Sequence, residues 1–404
     1  MKNKYIFMKI NRVFKKEIRN LLFIIFSLIF YIFDVFFIKK KNLVVFTQKN
    51  NLYSDNSKSF FEYINFNEKS FEAIWLIHDD NIKEKIISKN KFAKVLNIKT
   101  FSGFIALLKA KTVVTSNSLH DFFPYFHPSF RKQSIQLWHG IKWSKQFEYP
   151  NNNFTRDLTI ICSSSESHKE IIYKHNQLDE NKVYVTGLPR NDKFFNTDKS
   201  ELKTNLPANL FNPDKKYILY APTHREDLVS SFFPFKDKNI NNLDEFLESK
   251  NLHLYLRPHI NDTNKEGKAW LNFIKNLNAK NISSLSFSEF QDINSFLPLS
   301  EILITDYSTI YTDALLFNIP SIFIPYDLEL YNNKRGFVYK FEEIALGPKV
   351  FSQEQLVNSI KQIIQEKNKY INLQKKIKDK FHKYEDGNSS ERIMNILKSK
   401  INVN

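Results

Sequence analysis

The segment Ile302–Phe317, ILITDYSTIYTDALLF, carries the clearest indication of the fold. Its first part, Ile302–Thr305, is apolar and β-branched, which is typical of a strand buried on both faces of a sheet. A run of polar residues follows, and the apolar segment Ala314–Phe317 then indicates a helix. A buried strand that leads through a polar turn into a helix is the unit from which parallel α/β sheets are built.

The same alternation of short apolar runs with longer amphipathic stretches recurs along the chain. The runs are rich in β-branched and aromatic residues, whereas the stretches between them, such as Ser57–Asn65 and Ser165–His175, have helical spacing. Ser165, followed by Glu166 and Lys169, predicts the start of a helix. The predicted strands are Leu43–Thr47, Phe71–Ile77, Thr112–Thr115, Ser134–Leu137, Thr159–Cys162, Val183–Thr186, Tyr217–Ala221, His253–Leu256, Ile302–Thr305 and Ser321–Ile324.

A chain of 404 residues is too long for one ordinary core, so two domains are expected. The polar stretch Asn191–Asp214 contains two prolines and predicts the connection between them. The basic, amphipathic stretches Phe351–Leu373 and Ile377–Ile401 predict closing helices. We therefore expect doubly wound, Rossmann-like α/β domains at residues 42–195 and 196–404, with a cleft between them. Ligands of such sheets bind at the carboxyl ends of the strands.

Residues 1–41 are predicted to form a helical segment that associates with a membrane. Within them, Leu21–Ile38 reads LLFIIFSLIFYIFDVFFI, an 18-residue apolar run that is interrupted by Asp34 and flanked by basic residues. As a helix it would be about 27 Å long, slightly short of a hydrocarbon core. A pair of helices in the membrane interface, a single span and a buried core helix are all compatible with it, and we favour the interfacial pair. No small-residue cleavage site follows, which argues against a signal peptide.

The net charge of +16 indicates an anionic partner. An acidic membrane surface, a phosphate-rich polymer and a nucleic acid all fit, and charge alone does not distinguish them. The single cysteine, Cys162, excludes an intrachain disulfide and lies in an apolar run, so we interpret it as a core residue. The low content of Gly (7) and Pro (13) argues against fibrous and low-complexity proteins.

The first candidate catalytic residue is His139, which follows the predicted strand Ser134–Leu137 and precedes Gly140. An imidazole that titrates near neutrality suits a general base that removes a hydroxyl proton. A glycine beside it allows the backbone to approach a ligand closely. The alternative is a core histidine that is hydrogen-bonded to backbone, and the position at a strand end favours the functional interpretation.

Basic and hydroxyl residues follow two further predicted strands. Arg257 and His259 come after His253–Leu256, and Thr223 and Arg225 come after Tyr217–Ala221. Side chains of this kind can hold a diphosphate through charge-assisted hydrogen bonds. A rim ion pair is the alternative for Arg257, and its pairing with His259 favours binding.

Ser308 and Thr309 lie between a predicted strand and a predicted helix, with Asp306 and Asp313 in the same segment. The two hydroxyls are expected to cap the helix, and the free N–H groups at its start would favour phosphate. Arg190 lies at another strand exit and is either part of a turn or a phosphate contact.

The sequence lacks the motifs of several common classes of nucleotide-binding, metal and hydrolase sites. It contains no Walker loop, G-x-G-x-x-G, H-E-x-x-H, paired C-x-x-C or G-x-S-x-G. Asp79 and Asp80 are interpreted as a solvated turn rather than a metal site. We therefore expect neither an obligatory metal nor another cofactor.

In this order, the motifs resemble the CDP-glycerol glycerophosphotransferase family, which includes teichoic acid polymerases and primases and related capsule polymerases. The resemblance runs from about Tyr53 to Arg392 and rests on the ordered set rather than on any one motif. The matching residues are Tyr53–Asn56, Trp75, Trp138–Gly140, Gly187–Asp192, Tyr220–Arg225, Arg257–His259, Thr305–Asp313, Pro325–Asp327, Asp386–Asn388 and Arg392.

The resemblance implies a GT-B fold, in which residues 42–195 would bind the acceptor and residues 196–404 the CDP-polyol donor. It implies transfer of glycerol-phosphate or ribitol-phosphate to a polyol-phosphate or glycan acceptor, itself lipid-linked, with release of CMP at the cytoplasmic membrane face. His139 would then be the base. The donor phosphates would be held by Arg257, His259, Ser308, Thr309 and Arg190, with further donor or acceptor contacts from Gly140, Thr223, Arg225, Asp306 and Asp313.

One departure from the family concerns the acceptor side. Family members follow His-Gly with Thr-Pro-Leu-Lys, whereas Ile141–Lys145 reads IKWSK here. The departure points to a capsule-type polymer as readily as to a wall teichoic acid.

Two rival functions remain. A GT-B glycosyltransferase could use the same cleft with a nucleotide sugar such as CMP-sialic acid, in capsule or lipooligosaccharide synthesis. A basic, non-catalytic protein could bind nucleic acid or lipid, but polar residues grouped at strand ends argue against it. We expect an enzyme at an anionic membrane surface with no nucleic-acid partner.

Overall fold

This computed structural model describes residues 2–141, 157–204, 206–208, 210–225, 232–259 and 272–402, with side chains from residue 17 onward. The first of two sheets has seven strands: β1 (Lys40–Phe46), β2 (Glu72–Ile77), β3 (Val95–Asn97), β4 (Ala110–Thr115), β5 (Gln133–Gln136), β6 (Ile160–Ser163) and β7 (Val183–Val185). They lie in the order β3-β2-β1-β4-β5-β6-β7, and all neighbouring pairs are parallel.

The second sheet has five parallel strands. They are β8 (Lys216–Tyr220), β9 (Leu252–Leu256), β10 (Ile282–Ser284), β11 (Ser300–Thr305) and β12 (Ser321–Phe323). Their order is β10-β9-β8-β11-β12. The strand order reverses beside β1 in the first sheet and beside β8 in the second, and such switch points are where ligands bind. Two parallel α/β domains are confirmed.

Every predicted strand is present, with bounds that differ from the prediction by at most a few residues. Two strands, β3 and β10, were not predicted. Both have three residues, as do the predicted strands β7 and β12, but β3 (VLN) and β10 (ISS) each contain one β-branched and no aromatic residue and therefore lack the composition typical of a strand.

The helices of the first domain cover both faces of its sheet. The Oγ of Ser165 accepts a hydrogen bond from the backbone N–H of His168 at 3.1 Å, which confirms the predicted helix start. Asp79, which was interpreted as part of a solvated turn, caps a helix through the backbone N–H of Asn81. The helices are α1 (Lys2–Phe36), α2 (Asp55–Asn67), α3 (Asp80–Lys89), α4 (Phe101–Lys109) and α5 (Glu166–Asn176).

Two short helices lie within the predicted linker, and the other helices follow it along the chain. The predicted closing segment Phe351–Leu373 is divided near Glu366, and a break that includes Gly387, at φ +69°, precedes the final helix. These helices are α6 (Asp192–Phe195), α7 (Lys199–Thr204), α8 (Ile240–Ser249), α9 (Ile310–Leu316), α10 (Leu328–Arg335), α11 (Phe341–Ile344), α12 (Gln353–Gln365), α13 (Lys367–Phe381) and α14 (Ser389–Asn402).

The last helix, α14, packs on the first domain rather than on the second. Met394 and Leu397 are fully buried in the same core cluster as Phe46 and Trp75. The carboxylate of Asp192 accepts hydrogen bonds from the first two backbone N–H groups of α14, at 3.0 and 2.8 Å. The division of the chain at residue 195 stays a prediction, but this helix, which it assigns to the second domain, contacts the first.

Helix α1 is one continuous helix rather than the favoured pair, and its sequence contains neither Gly nor Pro to break it. Its residues Glu17–Phe36 are long and apolar enough to cross a membrane, by length and composition alone. One face packs on the first domain through Phe30. The centroid of its ring lies 5.2–5.6 Å from the ring centroids of Phe104, Phe123 and Phe126.

Asp34, which interrupts the apolar run, is buried at the end of α1 against the first domain. Its carboxylate pairs with the ammonium groups of Lys39 at 2.6 Å and Lys132 at 2.9 Å. It also accepts a hydrogen bond from the backbone N–H of Ser129 at 2.9 Å. Partners inside the protein therefore compensate the charge that would be costly in lipid.

Candidate active site

A cleft of about 430 Å³ lies where the carboxyl ends of the two sheets meet. It is lined by loops that follow β1, β4, β5 and β7 of the first domain and β8, β9, β10 and β11 of the second. The lining residues are Gln48, Lys49, Asn50, Leu52, Ser54, Asp55, Asn117, His139, Arg190, Ala221, Pro222, Arg257, Pro258, His259, Phe287, Ile293, Asn294, Ser308, Thr309, Ile310 and Asp313.

His139 projects into this cleft from the loop after β5. The preceding residue, Trp138, has a left-handed backbone at φ +57°. The side-chain amide of Asn56 stabilises this turn by donating to the carbonyl of Trp138 at 2.8 Å. The His139 Nδ1 lies 3.4 Å from the carbonyl of Ser116, which orients the ring and leaves Nε2 for a ligand.

The environment of His139 favours its neutral form. Its imidazole is accessible from the cleft, yet protein atoms surround it closely, and desolvation lowers its pKa below the ordinary 6.5. The nearby carboxylate of Asp55 opposes this shift, and the guanidinium of Arg190 adds to it. A neutral imidazole at physiological pH can accept a proton, as the base prediction requires.

Ser308 and Thr309 occupy the expected place at the start of α9, but only Ser308 accepts a hydrogen bond from the backbone of the helix. Thr309 is the N-cap residue and makes no side-chain cap hydrogen bond. The Ser308 Oγ lies 3.5 Å from the backbone N–H of Ile310, at the limit of a hydrogen bond. The helix is only seven residues long, so an anion site here depends on the hydroxyls rather than on a helix dipole.

Arg257 presents a cation to the same cleft from the end of β9. Its guanidinium donates to the carbonyls of Leu285 at 2.8 Å, of Phe290, and of Gln291 at 3.2 Å. Desolvation lowers the pKa of Arg257 to about 10, and the more distant carboxylate of Asp292 partly offsets this shift by raising the pKa. The guanidinium therefore stays charged at neutral pH. Among the described residues no carboxylate lies within 4.0 Å of it, so this charge is available to an anion.

His259 lines the cleft beside Arg257. Its ring stacks on that of His224, with the ring centroids 4.9 Å apart and an interplanar angle of 22°. The structure therefore brings together His139, Arg257, His259, Ser308 and Thr309, as the sequence predicted.

Arg190 lines the cleft, but its guanidinium is already paired. It contacts the carboxylates of Asp55 at 2.9 Å and Asp313 at 2.6 Å. Burial alone would lower its pKa, but the two carboxylates outweigh burial and raise it. The predicted phosphate contact stays a prediction, while the geometry favours a structural role.

Thr223, Arg225 and Asp306 do not contribute to the described cleft lining. The Asp306 carboxylate accepts from the Thr223 hydroxyl at 2.7 Å and from the Arg225 guanidinium at 2.9 Å. Arg225 also pairs with Asp327 at 2.8 Å. This buried network ties the end of β8 to the end of β11, so it positions the cleft loops and is not itself exposed to a ligand there.

Sequence reasoning missed the part of the cleft that is contributed by β1 and β4. Lys49 and Asn50 follow β1, and Asn117 follows β4. These residues carry the same sequence signal as His139 and Arg257, since they are polar and come shortly after a predicted strand. The departing motif residues 142–145 lie outside the described residues.

No metal site is evident in the described part of the chain. There, no group of three His, Cys, Asp or Glu side chains is arranged to hold a metal ion.

Comparison with known proteins identifies relatives of the whole chain. The family model for CDP-Glycerol:Poly(glycerophosphate) glycerophosphotransferase matches residues 29–399. The chain is 27% identical to a teichoic acid poly(ribitol-phosphate) polymerase of Bacillus spizizenii, over 83% of this chain and 54% of the relative. It is 26% identical to a teichoic acid poly(glycerol phosphate) polymerase of Bacillus subtilis, over 89% and 49%. It thus spans about half the length of these two relatives.

A shorter relative matches over most of its own length. It is a teichoic acid glycerol-phosphate transferase of Staphylococcus aureus, 26% identical over 87% of this chain and 92% of that protein. The fold is similar to the wall teichoic acid polymerase TagF in a crystal soaked with CDPG. The TM-score is 0.75 at 21% identity, over 96% of this chain and 97% of that one.

A more distant structural neighbour is the UDP-GlcNAc 2-epimerase from Neisseria meningitidis bound to UDP-GlcNAc. The TM-score is 0.54 at 12% identity, over 88% of this chain and 99% of that one. At these identities the structural likenesses establish the GT-B-like fold alone. The match of the family model over nearly the whole chain establishes that this protein belongs to the CDP-glycerol:poly(glycerophosphate) glycerophosphotransferase family.

Proposed function

We propose that this protein transfers a glycerol-phosphate or ribitol-phosphate unit from a CDP-polyol to a hydroxyl acceptor and releases CMP, in the synthesis of a teichoic acid or capsular polymer. One observation carries the proposal. A neutral imidazole on the first domain, His139, lines the same cleft as the guanidinium of Arg257, which no carboxylate of the described residues approaches within 4.0 Å, and the hydroxyls of Ser308 and Thr309 on the second.

In the proposed reaction, the acceptor oxygen attacks the donor phosphorus that bears the polyol. His139 takes the proton of the acceptor hydroxyl, the new P–O bond forms, and the P–O bond to CMP breaks with its electron pair going to CMP. Arg257 and the two hydroxyls stabilise the charge on the phosphates. Positioning and electrostatics account for most of the rate in phosphoryl transfer.

Membrane association is proposed from helix α1. Its contacts with the first domain extend from Ser27, which donates to the carbonyl of Tyr125, to Val35, whose carbonyl accepts from Arg131 at 2.7 Å. A helix covered along one side by a polar domain cannot span a bilayer without taking that domain into the hydrocarbon. Its other face exposes apolar side chains: Ile18, Leu21, Leu22, Ile24, Ile25, Leu28, Ile29, Ile32, Phe33 and Phe36.

We therefore place α1 in the plane of the cytoplasmic leaflet, where these side chains enter the acyl boundary and the net charge of +16 attracts anionic lipids. A lipid-linked polyol-phosphate or glycan acceptor would be presented at that surface. Sedimentation with vesicles tests the placement: binding should require α1 and increase with the content of anionic lipid. Equal binding after Leu21→Gln, Leu28→Gln and Ile32→Gln are combined would contradict it.

The activity is tested by CMP release from protein purified in detergent, with an acceptor preparation and CDP-glycerol, CDP-ribitol or CMP-sialic acid, each with and without EDTA. Release from a CDP-polyol that requires the acceptor would support the transfer. Release from CMP-sialic acid alone would instead indicate the rival glycosyltransferase. Retained activity in EDTA would support the expectation that no metal is obligatory.

His139→Gln is the site variant, because Gln fills a similar volume and cannot act as the base. His175→Gln, on α5 away from the cleft, is the matched control. We expect a loss of more than about 10²-fold for His139→Gln and little change for the control. Equal turnover by both variants would remove His139 from the base role.

A further inference from the structure

One guanidinium joins the two domains at the cleft. Arg190 lies just after β7 of the first domain, and 6% of its surface is exposed. Its Nη1 contacts Asp55 of the first domain at 2.9 Å, and its Nη2 contacts Asp313 of the second domain at 2.6 Å. Asp313 lies on α9, the helix whose start carries Ser308 and Thr309.

The same guanidinium is attached to the loop that carries the candidate base. Nη1 also donates to the carbonyl of His139 at 2.7 Å. The backbone N–H of Arg190 donates to the Asn56 side-chain oxygen at 3.0 Å, and the amide of Asn56 donates to the carbonyl of Trp138 at 2.8 Å. Arg190 therefore fixes the backbone directly at His139, and it fixes the backbone at Trp138 through Asn56.

The link between the domains depends on the pairing of the Arg190 cation with two carboxylates. Three buried or nearly buried charges share one set of hydrogen bonds, and removing the cation leaves the two carboxylates without a compensating positive charge, although the Asn191 amide still donates to Asp313 at 3.4 Å. Because one carboxylate belongs to each domain, the unpaired carboxylates repel across the cleft. Two carboxylates of the second domain, Asp306 and Asp327, also pair with Arg225, but those contacts stay within one domain.

We infer that Arg190 is a positioning residue that couples the two domains, fixing His139 of the first domain relative to Ser308 and Thr309 of the second. The inference rests on the proposed function for its kinetic consequence only. Its structural consequence, a defined distance between the domains, does not depend on any activity.

The distance between the domains can be measured without substrate by double electron–electron resonance. Spin labels on Lys85→Cys in α3 and Glu245→Cys in α8 report on the first and second domains, and both positions are exposed. The only native cysteine, Cys162, is buried. We expect one narrow distance distribution for the wild type and a distribution at least twofold broader for Arg190→Met.

Arg225→Met is the matched control, because it also removes a buried arginine that pairs with two carboxylates. It should leave the distance distribution at its wild-type width. If Arg190→Met does not fold, Asp313→Asn makes the same test, since it removes the charge on the second domain and keeps the shape of the side chain. Wild-type widths for both Arg190→Met and Asp313→Asn would overturn the inference.

Kinetics separate positioning from substrate binding. Misplacement of the base relative to the donor should lower kcat by about 10²-fold and change the KM for the CDP-polyol by less than about threefold. Arg190→Lys, which can pair with one carboxylate at a time, should recover part of kcat. A raised donor KM with unchanged kcat and an unchanged distance distribution would instead identify Arg190 as a phosphate contact. If the wild type releases no CMP, the proposed function is wrong. The distance measurement still tests whether Arg190 couples the two domains.

Discussion

Gly140 of the first domain lies directly against Thr309 of the second, so that a Cβ added to Gly140 would stand 3.0 Å from the Thr309 Oγ1. This close approach across the cleft explains why a glycine follows His139. It also provides a way to test whether the Thr309 hydroxyl contacts the donor.

Gly140→Ala should displace the Thr309 side chain and lower kcat/KM by roughly 10-fold, the loss of about one hydrogen bond to a charged group. Thr309→Val, which removes the hydroxyl and keeps the volume, should have a similar effect. Because both changes act on one group, the double variant should be no worse than either single variant. Additive losses would show that the glycine acts through another contact.

The pH dependence of the reaction should report the pKa of His139. Only the neutral imidazole can accept the acceptor proton, so activity should be full above this pKa and fall as the pH drops through it. Since desolvation lowers the pKa, the midpoint of the acidic limb of kcat/KM should lie below 6.5. A midpoint above 7, or a limb that persists in His139→Gln, would contradict the assignment.

Removal of the Arg257 charge should weaken binding of the donor. One charge-assisted contact contributes about 1.5–3 kcal/mol, so Arg257→Gln should raise the dissociation constant for a CDP-polyol by roughly 10- to 100-fold. Isothermal titration calorimetry measures it directly. Lys375→Gln, on the exposed surface of α13, removes the same charge and should leave the dissociation constant unchanged.

Acid should destabilise the second domain through His253. Burial lowers its pKa to about 4 from 6.5, so the unfolded chain binds the proton more readily than the folded one. The contribution of neutral His253 to the free energy of unfolding is therefore complete above pH 6.5 and decreases as the pH falls towards 4. At pH 5 the loss should be about 2 kcal/mol. Urea unfolding at pH 7.5 and 5 checks this. His253→Gln should reduce the loss, and an equal pH effect in that variant would exclude His253 as its origin.

The attachment of α1 should depend on the buried pair of Asp34 and Lys132. Asp34→Leu leaves the Lys132 ammonium buried without its carboxylate, which should lower the free energy of unfolding by about 3–5 kcal/mol. Combining it with Lys132→Met should restore much of the loss, as measured by urea unfolding. Glu170→Gln, which breaks an exposed ion pair with Lys174, serves as the control for a surface pair and should leave the free energy of unfolding almost unchanged.

The strand ends were predictable because β-branched, buried runs such as Ile302–Thr305 have a local signature, and parallel topology then places the residues that follow them at one edge. His139, Arg257 and Ser308 were found in this way. The strands β3 (VLN) and β10 (ISS) were not predicted, since each contains only one β-branched and no aromatic residue. The capping role was wrong for Thr309, whose side chain makes no cap hydrogen bond, whereas the Ser308 Oγ accepts a long one from the backbone N–H of Ile310. Neighbours in the folded chain, and not the sequence nearby, determine where a hydroxyl points.

The amino-acid sequence alone determined the two α/β domains, the family and several of the polar residues at the cleft, since each depends on short-range patterns of polarity and on residue identity. The roles of the arginines depend on the folded structure. Arg190, Arg225 and Arg257 all follow strands, yet the first two pair with carboxylates more than 80 residues away, whereas Arg257 donates to backbone carbonyls and forms no ion pair within the described part of the chain. Coulombic compensation depends on distances in space, and only folding brings these carboxylates within a few ångströms of their partners.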